Sequence, residues 1–472
     1  MSTTTAHYGL VKPSTTDPVN VAVLNTNFDT IDTQIYARAL SVLDYGATGN
    51  GTTNDTAAVQ AALTAGGAVR FPPGNYSVGT LYVSSNSVLA GEPGSKLTLR
   101  AGTVGPLLRS ASPVTNVRVE RMVFDGNASN NPDNDYIISL SAPTGVTLTD
   151  LTILSAPGDT ITLSNAVTNC FINRVLADGL IRADRDTLVT SCRVVSSLVQ
   201  AISVGTDSVV RDCLVDQGSI AGNGIHIQQN ATNVKVLGNT VVARTDVIGS
   251  SAIGTSTGVT NCLIEGNMVT GGDAGIAVYG SNNRVANNHV TATGYVSPTT
   301  GDGIIINTGS GNVVVGNVLS GLIAGPGIEI QAPDTVVSSN TVTDVASAAV
   351  GVWFSNTVVT NNLVIRAGLG ISGTDASGIN VNGDNALVAN NVVYDCGNSA
   401  AATSSGVLVG SGANAIVVGN RCTDTRSGGS KKQQYGVRQA GTSTSVTAQG
   451  NHLVGNATAA TNGSFTGTPQ IA

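Results

Sequence analysis

Apolar and polar residues alternate in short runs along most of this chain, and the runs recur. One recurring run reads Gly-apolar-x-apolar, and its copies begin at Gly224, Gly275, Gly303, Gly327, Gly378 and Gly406. Alternation over so few residues predicts short β-strands with one buried face. The two apolar side chains of each strand would point inward and the residue between them outward.

A second run places an Asn three residues after one apolar residue and two residues before another. Its nine consecutive copies carry Asn239, Asn267, Asn288, Asn317, Asn340, Asn362, Asn391, Asn420 and Asn451. The residue before the Asn is often Gly, Asn or Ser, which suits a tight turn with positive φ. Weaker copies extend the run backwards through Cys213, Cys192, Asn173, Leu151 and Met122.

The two runs together predict a repeating coil of short strands. One coil cannot bury its apolar side chains alone, so successive coils must stack on one another. We therefore predict an all-β fold, a single-stranded right-handed parallel β-helix of about 14 coils. Ile and Val would fill its interior, and the Asn residues would form a ladder at one turn.

Two helices are predicted ahead of the coils. Residues 55–65 read as a helix with Asp55 as N-cap and Gly66-Gly67 at its end, placed to cover the open edge of the first coil. A second helix begins near Asp17, because Val21, Leu24, Phe28, Ile31 and Ile35 follow a 3-4 heptad spacing. That helix either forms a short coiled coil or packs on its own domain.

Charge and cysteine usage narrow the function. The net charge is −7, from 22 basic and 29 acidic residues, which disfavours nucleic acid as a partner. No apolar stretch approaches the ~18 residues of a membrane helix, and the first residues lack the pattern of a signal peptide. The six Cys residues have no CxxC spacing, so we expect buried thiols and neither metal nor cofactor.

The region before the coils carries a family motif. It contains Asp44-Tyr45-Gly46-Ala47, Asn54-Asp55-Thr56-Ala57-Ala58-Val59 and Phe71-Pro72-Pro73-Gly74. Residues 41–95 thereby resemble pectate-lyase-superfamily, or pectin-lyase-like, β-helix proteins, although Asn50 and Asn54 replace the usual Asp residues. The resemblance implies the fold and leaves the chemistry open, because that superfamily includes lyases, hydrolases, epimerases, esterases and non-enzymatic spikes.

A second resemblance lies at the start of the chain. Tyr8-Gly9-Leu10-Val11-Lys12-Pro13, with Leu24-Asn25-Thr26-Asn27-Phe28, is similar to the N-terminal attachment segment of phage tail proteins. The two resemblances imply a homotrimeric phage tail spike, made in the host cytoplasm and carried in the virion tail. It would recognise bacterial surface polysaccharide and, if active, depolymerise it.

This interpretation assigns the parts of the chain. Residues 1–40 would attach the spike to other tail or baseplate proteins and support oligomerisation, 41–121 would begin the coils and cap them, 122–455 would form the β-helix, and 456–472 a short tail. Two alternatives stay open. One is a non-catalytic structural tail or baseplate protein, and the other is a cellular polysaccharide lyase or glycosidase, which the absence of an export signal disfavours.

In this superfamily the carbohydrate groove often lies on the sheet made of the Gly-apolar strands. The outward positions there carry aromatic and amide side chains, which suit a sugar because rings stack on its C–H face while amides bond its hydroxyls. The candidate substrate-binding residues are His226, Gln228, Tyr279, Asn307, Gln331, Trp353, Asn380 and Asn382.

Hydrolysis of a glycosidic bond needs two carboxyl groups. Glu329 occupies an outward strand position, and Asp302 precedes Gly303 on the neighbouring coil, so these two are the candidate catalytic pair, with Asp273 and Asp375 in reserve. A lyase would instead need a base such as His226 or Tyr279, and we expect no basic residue nearby on the outward face. A hydrolase is therefore favoured over a lyase if the protein is an enzyme.

Overall fold

The structure is a computed structural model. It describes residues 3–5, 10–12, 14, 20–36, 40–132, 136–196, 199–218, 222–244, 249–293, 301–370 and 375–466, without the side chains of 32–36 and 375. The chain divides into two compact units, Met1–Pro157 and Gly158–Ala472.

The first unit opens with a small hairpin-like pair and a helix. Thr3–Thr4 pairs antiparallel with Val11–Lys12, and helix α1 spans Val21–Tyr36. The Asn20 side chain accepts from the Ala22 N–H (3.0 Å) at the start of this helix, whereas the predicted start near Asp17 lies outside the described residues. Val21 is 64% and Phe28 63% exposed, so the first two turns of the apolar seam face solvent.

The predicted capping helix is α2, Thr56–Ala65. Asp55 precedes it but does not cap it, because the Asp55 carboxylate instead accepts from the backbone N–H groups of Thr48 (2.8 Å) and Gly49 (3.2 Å). On the outer side of α2, Gln60 accepts from the N–H of Tyr82 (2.8 Å) and donates to its carbonyl (3.1 Å). The helix thereby satisfies backbone groups on the edge of the strand that contains Tyr82.

Short parallel strands make up the rest of the first unit, together with 3₁₀ turns at Val42–Tyr45 and Ala128–Asn130. Parallel pairing already begins at Leu40, ahead of residue 122. The strands are Leu40–Ser41, Asn50–Asn54, Ala68–Phe71, Gly74–Val78, Leu81–Val83, Val88–Gly91, Ser95–Leu99, Leu108–Ser110, Arg118–Asp125, Tyr136–Ser141 and Thr147–Leu154.

The second unit consists of three parallel sheets, to which successive coils contribute one strand each, and a 3₁₀ turn at Gly428–Ser430. Sheet 1 contains the predicted Gly-apolar strands: Asp159–Ser164, Ile181–Arg185, Gln200–Thr206, Asn223–Ile227, Ser251–Thr255, Ala274–Ser281, Ile304–Thr308, Ile328–Ile330, Val350–Val352, Asp375–Val381, Thr403–Val409, Tyr435–Gln439 and Ala459–Asn462. Its last strand lies within the predicted C-terminal tail and pairs with Tyr435–Gln439.

Sheets 2 and 3 flank the Asn turn. Sheet 2 precedes the turn and contains Cys170–Asn173, Thr187–Thr190, Val209–Arg211, Lys235–Leu237, Leu263–Glu265, Arg284–Ala286, Val313–Val315, Val336–Ser338, Val358–Thr360, Leu387–Ala389, Ile416–Val418 and Thr447–Gln449, and Val259–Thr260 pairs separately with the end of Ala274–Ser281. Sheet 3 follows the turn and contains Leu176–Asp178, Arg193–Ser196, Leu214–Gln217, Thr240–Val242, Met268–Thr270, His289–Thr291, Val318–Leu322, Thr341–Val345, Leu363–Ile365, Val392–Tyr394 and Arg421–Thr423.

The Asn ladder is confirmed and continuous from Asn239 to Asn451. At each step, as at Asn288, the backbone N–H and the side-chain Nδ2 both donate to Oδ1 of the next Asn, here Asn317 (2.9 and 3.0 Å). The residue before every ladder Asn has a φ between 55° and 68°, which explains the preference for Gly, Asn and Ser there. All nine side chains are buried, so the ladder satisfies polar groups that would otherwise lack partners.

The backward extension of the ladder contains one error. Val175, and not Asn173, takes the ladder position, because Leu176 pairs with Arg193 and the positive φ (50°) falls on Arg174. Because Asn173 carries the amide that the ladder positions share, the sequence pattern placed the turn two residues before its observed position at Val175. The predicted buried thiols are confirmed, since all six Cys side chains are buried and none is in a disulfide.

Candidate functional site

The outward face of sheet 1 presents a row of residues held in register by strand pairing. Neighbouring strands align Ala277 with Ile305, Ile305 with Glu329, Glu329 with Gly351, and Gly351 with Asn380. A second outward row lies two residues further along each strand and carries Gln228, Tyr279, Gln331, Trp353 and Asn382. Asn307 departs from this row, because a register shift after Val278 pairs Tyr279 with Thr308.

A cavity of about 330 Å³ opens on this face beside Glu329. One wall of the cavity is tightly packed at Gly325, where a Cβ would clash with the Gly301 carbonyl oxygen and lie 2.8 Å from Asp302 Oδ1. Its lining residues are Gly249, Ser250, Ser251, Asp273, Ala274, Ala277, Tyr279, Gly301, Asp302, Ile305, Gly325, Pro326, Glu329 and Gln331. We call this space the acidic cavity, because three carboxyl groups line it.

The structure brings the candidate pair Asp302 and Glu329 into direct contact. Burial, then a hydrogen bond with the Glu329 side chain and the charge of Glu329, raise the pKa of Asp302 to about 9. Asp302 therefore keeps its proton at neutral pH, within hydrogen-bond reach of Glu329. Glu329 also accepts a hydrogen bond from Nε2 of Gln331.

This contact differs from the separation on which the sequence argument rested. Hydrolases hold their two carboxyl groups ~5–5.5 Å or ~6.5–9.5 Å apart, whereas hydrogen-bonded groups are closer than either. Asp302 and Glu329 therefore form one hydrogen-bonded unit, and an independent acid and base would require a third group.

Asp273, a reserve candidate, is the third carboxyl group of the acidic cavity. Its Oδ2 accepts from the Gly249 N–H (2.9 Å), while its Oδ1 is buried and finds no hydrogen-bond partner among the described residues. Burial, reinforced by the charges of Asp302 and Asp273, raises the pKa of Tyr279, so this phenol stays protonated at neutral pH. The other reserve, Asp375, has a side chain outside the described part of the chain.

His226, one of the predicted binding residues, is buried where strand alternation predicted an exposed ring. It lies on the outward row, but only 9% of it is exposed, because Asn223 Nδ2 lies 2.8 Å from Nδ1 and Ser256 Oγ 3.1 Å from Nε2. Burial, then the charge of Arg182, lower the pKa of His226 to about 4. The expectation that no basic residue lies near this face was also wrong, because Arg182 occupies the same outward row as His226.

The remaining predicted binding residues are half-buried or exposed. Gln228 is held by its Nε2, which donates to Ser203 Oγ (3.3 Å) and to the Ala183 carbonyl (3.4 Å). Asn382 Nδ2 donates to Asn380 Oδ1 (3.3 Å) on the strand that follows Gly351. These amides lie on coils at either side of the acidic cavity and do not line it.

Trp353 lies one coil beyond Glu329 and is 46% exposed. The indole lies against Gly351, which pairs with Glu329: a Cβ on Gly351 would lie 3.4 Å from Trp353 Nε1. Phe354, which the sequence analysis missed, is 48% exposed next to it. Strand alternation would have turned Phe354 inward, like Val350 and Val352. The strand ends at Val352, however, so Phe354 does not follow that alternation.

A second depression was also missed. It has a volume of about 370 Å³ and is lined by Gln229, Thr255, Ser256, Thr257 and Tyr279. We call it the hydroxyl pocket. Tyr279 lines both spaces, so the acidic cavity and the hydroxyl pocket adjoin on one face.

Metal-ligand clusters and membrane-spanning helices are both absent from the described residues. Among the described residues, no three His, Cys, Asp or Glu side chains are arranged to hold a metal ion. Neither helix in the described ranges is both long and apolar enough to cross a membrane.

Comparisons with known proteins support the fold. The family model of rhamnogalacturonase A/epimerase, pectate lyase-like, matches residues 39–131, and the right-handed β-helix region model matches residues 247–377. No curated protein sequence matches significantly. The predicted right-handed parallel β-helix is therefore confirmed.

Solved structures give the same fold. A tailspike protein variant of E. coli bacteriophage HK620 with a bound hexasaccharide aligns over 89% of this chain and 81% of that chain, with a TM-score of 0.57 and 14% identity. Another variant of that tailspike, with a pentasaccharide, aligns over 87% and 79% of the two chains, with a TM-score of 0.57 and 13% identity.

Proposed function

We propose that this protein is a bacteriophage tail spike that binds a bacterial surface polysaccharide on the outward face of sheet 1. The observation that carries the proposal is the pair of adjoining spaces on that face, the acidic cavity and the hydroxyl pocket, which share Tyr279. The tailspike of similar fold, crystallised with a hexasaccharide, supports an oligosaccharide as the ligand.

The chemistry of the face suits a sugar chain. Carboxyl, amide and hydroxyl groups line the two spaces and can bond sugar hydroxyls, while Tyr279 and Trp353 offer aromatic rings for the C–H faces of sugars. Both volumes lie within the range of small-ligand pockets. Two adjoining spaces and an exposed ring one coil further suit an extended ligand better than an isolated small molecule.

Trp353→Ala tests binding. Removing the exposed indole should weaken binding by ~1–3 kcal/mol if the ring stacks on a sugar. The measurement is calorimetry with purified surface polysaccharides from a panel of bacterial strains. Tyr394→Ala is the matched control, because this ring lies on sheet 3, where it packs against Arg421. Equal affinities for the wild type and Trp353→Ala would remove Trp353 from the binding face.

Hydrolysis is a second candidate function, favoured by the proton that Asp302 holds beside Glu329. In this proposal Asp302 and Glu329 are the catalytic pair and donate the proton to the leaving glycosidic oxygen. The Asp273 carboxylate takes a proton from the water that attacks the anomeric carbon. The free Oδ1 of Asp273 supports that role, because it can accept a hydrogen bond from a water or a sugar hydroxyl.

Glu329→Gln tests the chemistry. The amide keeps the shape of the side chain but cannot share a titratable proton with Asp302, so new reducing ends should fall by at least 100-fold while polysaccharide binding persists. Asp302→Asn and Asp273→Asn should act similarly. Asp216→Asn, an exposed carboxylate on sheet 3, is the control. Unchanged cleavage in Glu329→Gln would reject the pair, and no cleavage by the wild type would leave a binding spike or a structural tail protein.

The assembly is part of the proposal. We assign residues 1–40 to attachment to other tail or baseplate proteins and the full chain to a homotrimer in the virion tail. The exposed seam of α1 supports this assignment, because Val21, Leu24 and Phe28 are apolar, regularly spaced and solvent-facing. Such a seam is typical of helices that associate.

A further inference from the structure

We propose that the polysaccharide is uncharged at the two sugar positions that occupy the acidic cavity and the hydroxyl pocket. This inference rests on the proposed binding function and names the substrate class of the same face. It runs against the resemblance to pectate lyases, which by itself would suggest an acidic polysaccharide.

The acidic cavity is built to receive hydrogen-bond donors. Asp273, Asp302 and Glu329 line it, and no Lys, Arg or His is among its described lining residues. Asp273 Oδ1 is a buried hydrogen-bond acceptor for which the described protein groups supply no donor. A sugar hydroxyl fits this acceptor, whereas a second carboxylate would repel it.

The hydroxyl pocket adds no positive charge. Its lining side chains are three hydroxyl groups, one amide and the phenol of Tyr279. Because burial of Tyr279 favours its protonated form, the phenol also acts as a neutral group. The sugar next to the cavity therefore meets uncharged partners on every described side.

The basic residues of the outward row lie elsewhere and are already engaged. Arg182 lies on the far side of His226 from the hydroxyl pocket and approaches Asp159 (3.6 Å). Arg438 lies on the third strand after the one that contains Gly351, where it pairs with Leu408. Its guanidinium donates to Thr403 Oγ1 (2.7 Å). Neither lines either space, so a uronate, sialate or phosphate bound there would meet no counter-charge among the described lining residues.

The experiment uses matched ligands. Acidic capsular polysaccharides are tested beside their carboxyl-reduced forms, and neutral O-polysaccharides beside both, with the full-length protein and calorimetry as the readout. We expect the bound ligands to be neutral or carboxyl-reduced, with at least 100-fold weaker binding of each native acidic form. Tyr279→Ala should lower the affinity for the ligands that bind by at least 10-fold, which would locate binding to this face.

Variants separate charge from shape. Asp273→Asn removes a negative charge and should reduce the discrimination against the native acidic forms at least 5-fold, whereas Asp216→Asn on sheet 3 should not change it. Tight, Tyr279-dependent binding of a native acidic polysaccharide would overturn this inference and leave the proposed function standing. Failure of every polysaccharide to bind would overturn the proposed function itself.

Discussion

Single side chains at the site owe their protonation to burial, which acts in opposite directions on acids and bases. Burial removes water from the charged form, so it raises the pKa of Asp302 and lowers that of His226. Neighbours reinforce both shifts, through Glu329 for the acid and Arg182 for the base. Both groups are therefore neutral around pH 7, for the same physical reason.

These shifts predict how stability depends on pH. Folded Asp302 has a pKa of about 9, above its unfolded value of ~3.9, so it contributes stability at low pH that is lost as the pH rises from ~4 to about 9. Folded His226 has a pKa of about 4, below its unfolded value of ~6.5, so its contribution is lost as the pH falls through that window.

Urea unfolding at a series of pH values measures both effects. Asp302→Asn should flatten the fall in unfolding free energy above pH ~6.5. Between pH ~4 and ~6.5 the two contributions oppose each other, so Asp302→Asn should reveal the rise with pH that His226 causes, and His226→Gln should reveal the fall that Asp302 causes. Asp216→Asn should leave the curve unchanged. A wild-type curve that is equally steep in Asp302→Asn would contradict the proton held by that carboxyl group.

For single residues, the sequence predicted which strand positions face outward but not how buried each side chain is. Burial depends on how the neighbouring side chains pack. Strand alternation placed Glu329 and Trp353 correctly on the outward face, and the coil spacing put Asp302 beside Glu329. Alternation could not show that two side chains contact the ring of His226 and bury it. Asn223 lies three residues earlier on the same strand, and Ser256 follows the neighbouring strand. The role of Asp273 in the same cavity also depends on a loop conformation that spacing does not define.

At the scale of one element, the Asn turn is the most repetitive feature of the second unit. Each step uses two donors of one Asn and one acceptor of the next, with a further bond from Nδ2 to a buried carbonyl, as from Asn317 to Val285 (3.0 Å). The sequence predicted this element well because the bonds require one residue type at a fixed place. It failed at Asn173, where the amide is present but the turn is not.

Asn317→Leu tests the ladder. The substitution removes the acceptor of the backbone N–H and Nδ2 of Asn288, and it removes the Nδ2 donor to Asn340 Oδ1 and to the Val285 carbonyl. We expect a loss of about 1–3 kcal/mol in the free energy of unfolding. The measurement is chemical denaturation followed by far-UV circular dichroism. Asn462→Leu, at an exposed strand position, is the control. Equal stability of Asn317→Leu and the wild type, repeated at Asn362, would contradict a stabilising role of the ladder.

At the scale of the whole molecule, the coils and the N-terminal segment are separable in their strand pairing. Among the described residues, the only strands before Leu40 pair with each other, whereas Leu40 itself pairs with Val69. A chain lacking residues 1–38 should therefore keep the circular dichroism spectrum and unfolding transition of the β-helix.

The same deletion tests attachment. The shortened chain should no longer be incorporated into virions, because the exposed seam of α1 is removed, and sedimentation equilibrium should give a trimer for the full-length chain. A monomeric full-length protein would remove the trimer from the proposal. Incorporation of the shortened chain would place the attachment surface elsewhere.

The Asn ladder also has a direction, which bears on how the protein is made. From Asn239 to Asn420, the backbone N–H of each ladder Asn donates forward, to the coil that follows it in the chain, as from Asn391 to Asn420 and from Asn420 to Asn451. A ribosome releases the chain from its N-terminus, so the newest turn keeps an unpaired N–H until the next coil has emerged. Chain elongation thus sets the order in which the coils close, and a stalled chain would end in one unfinished turn.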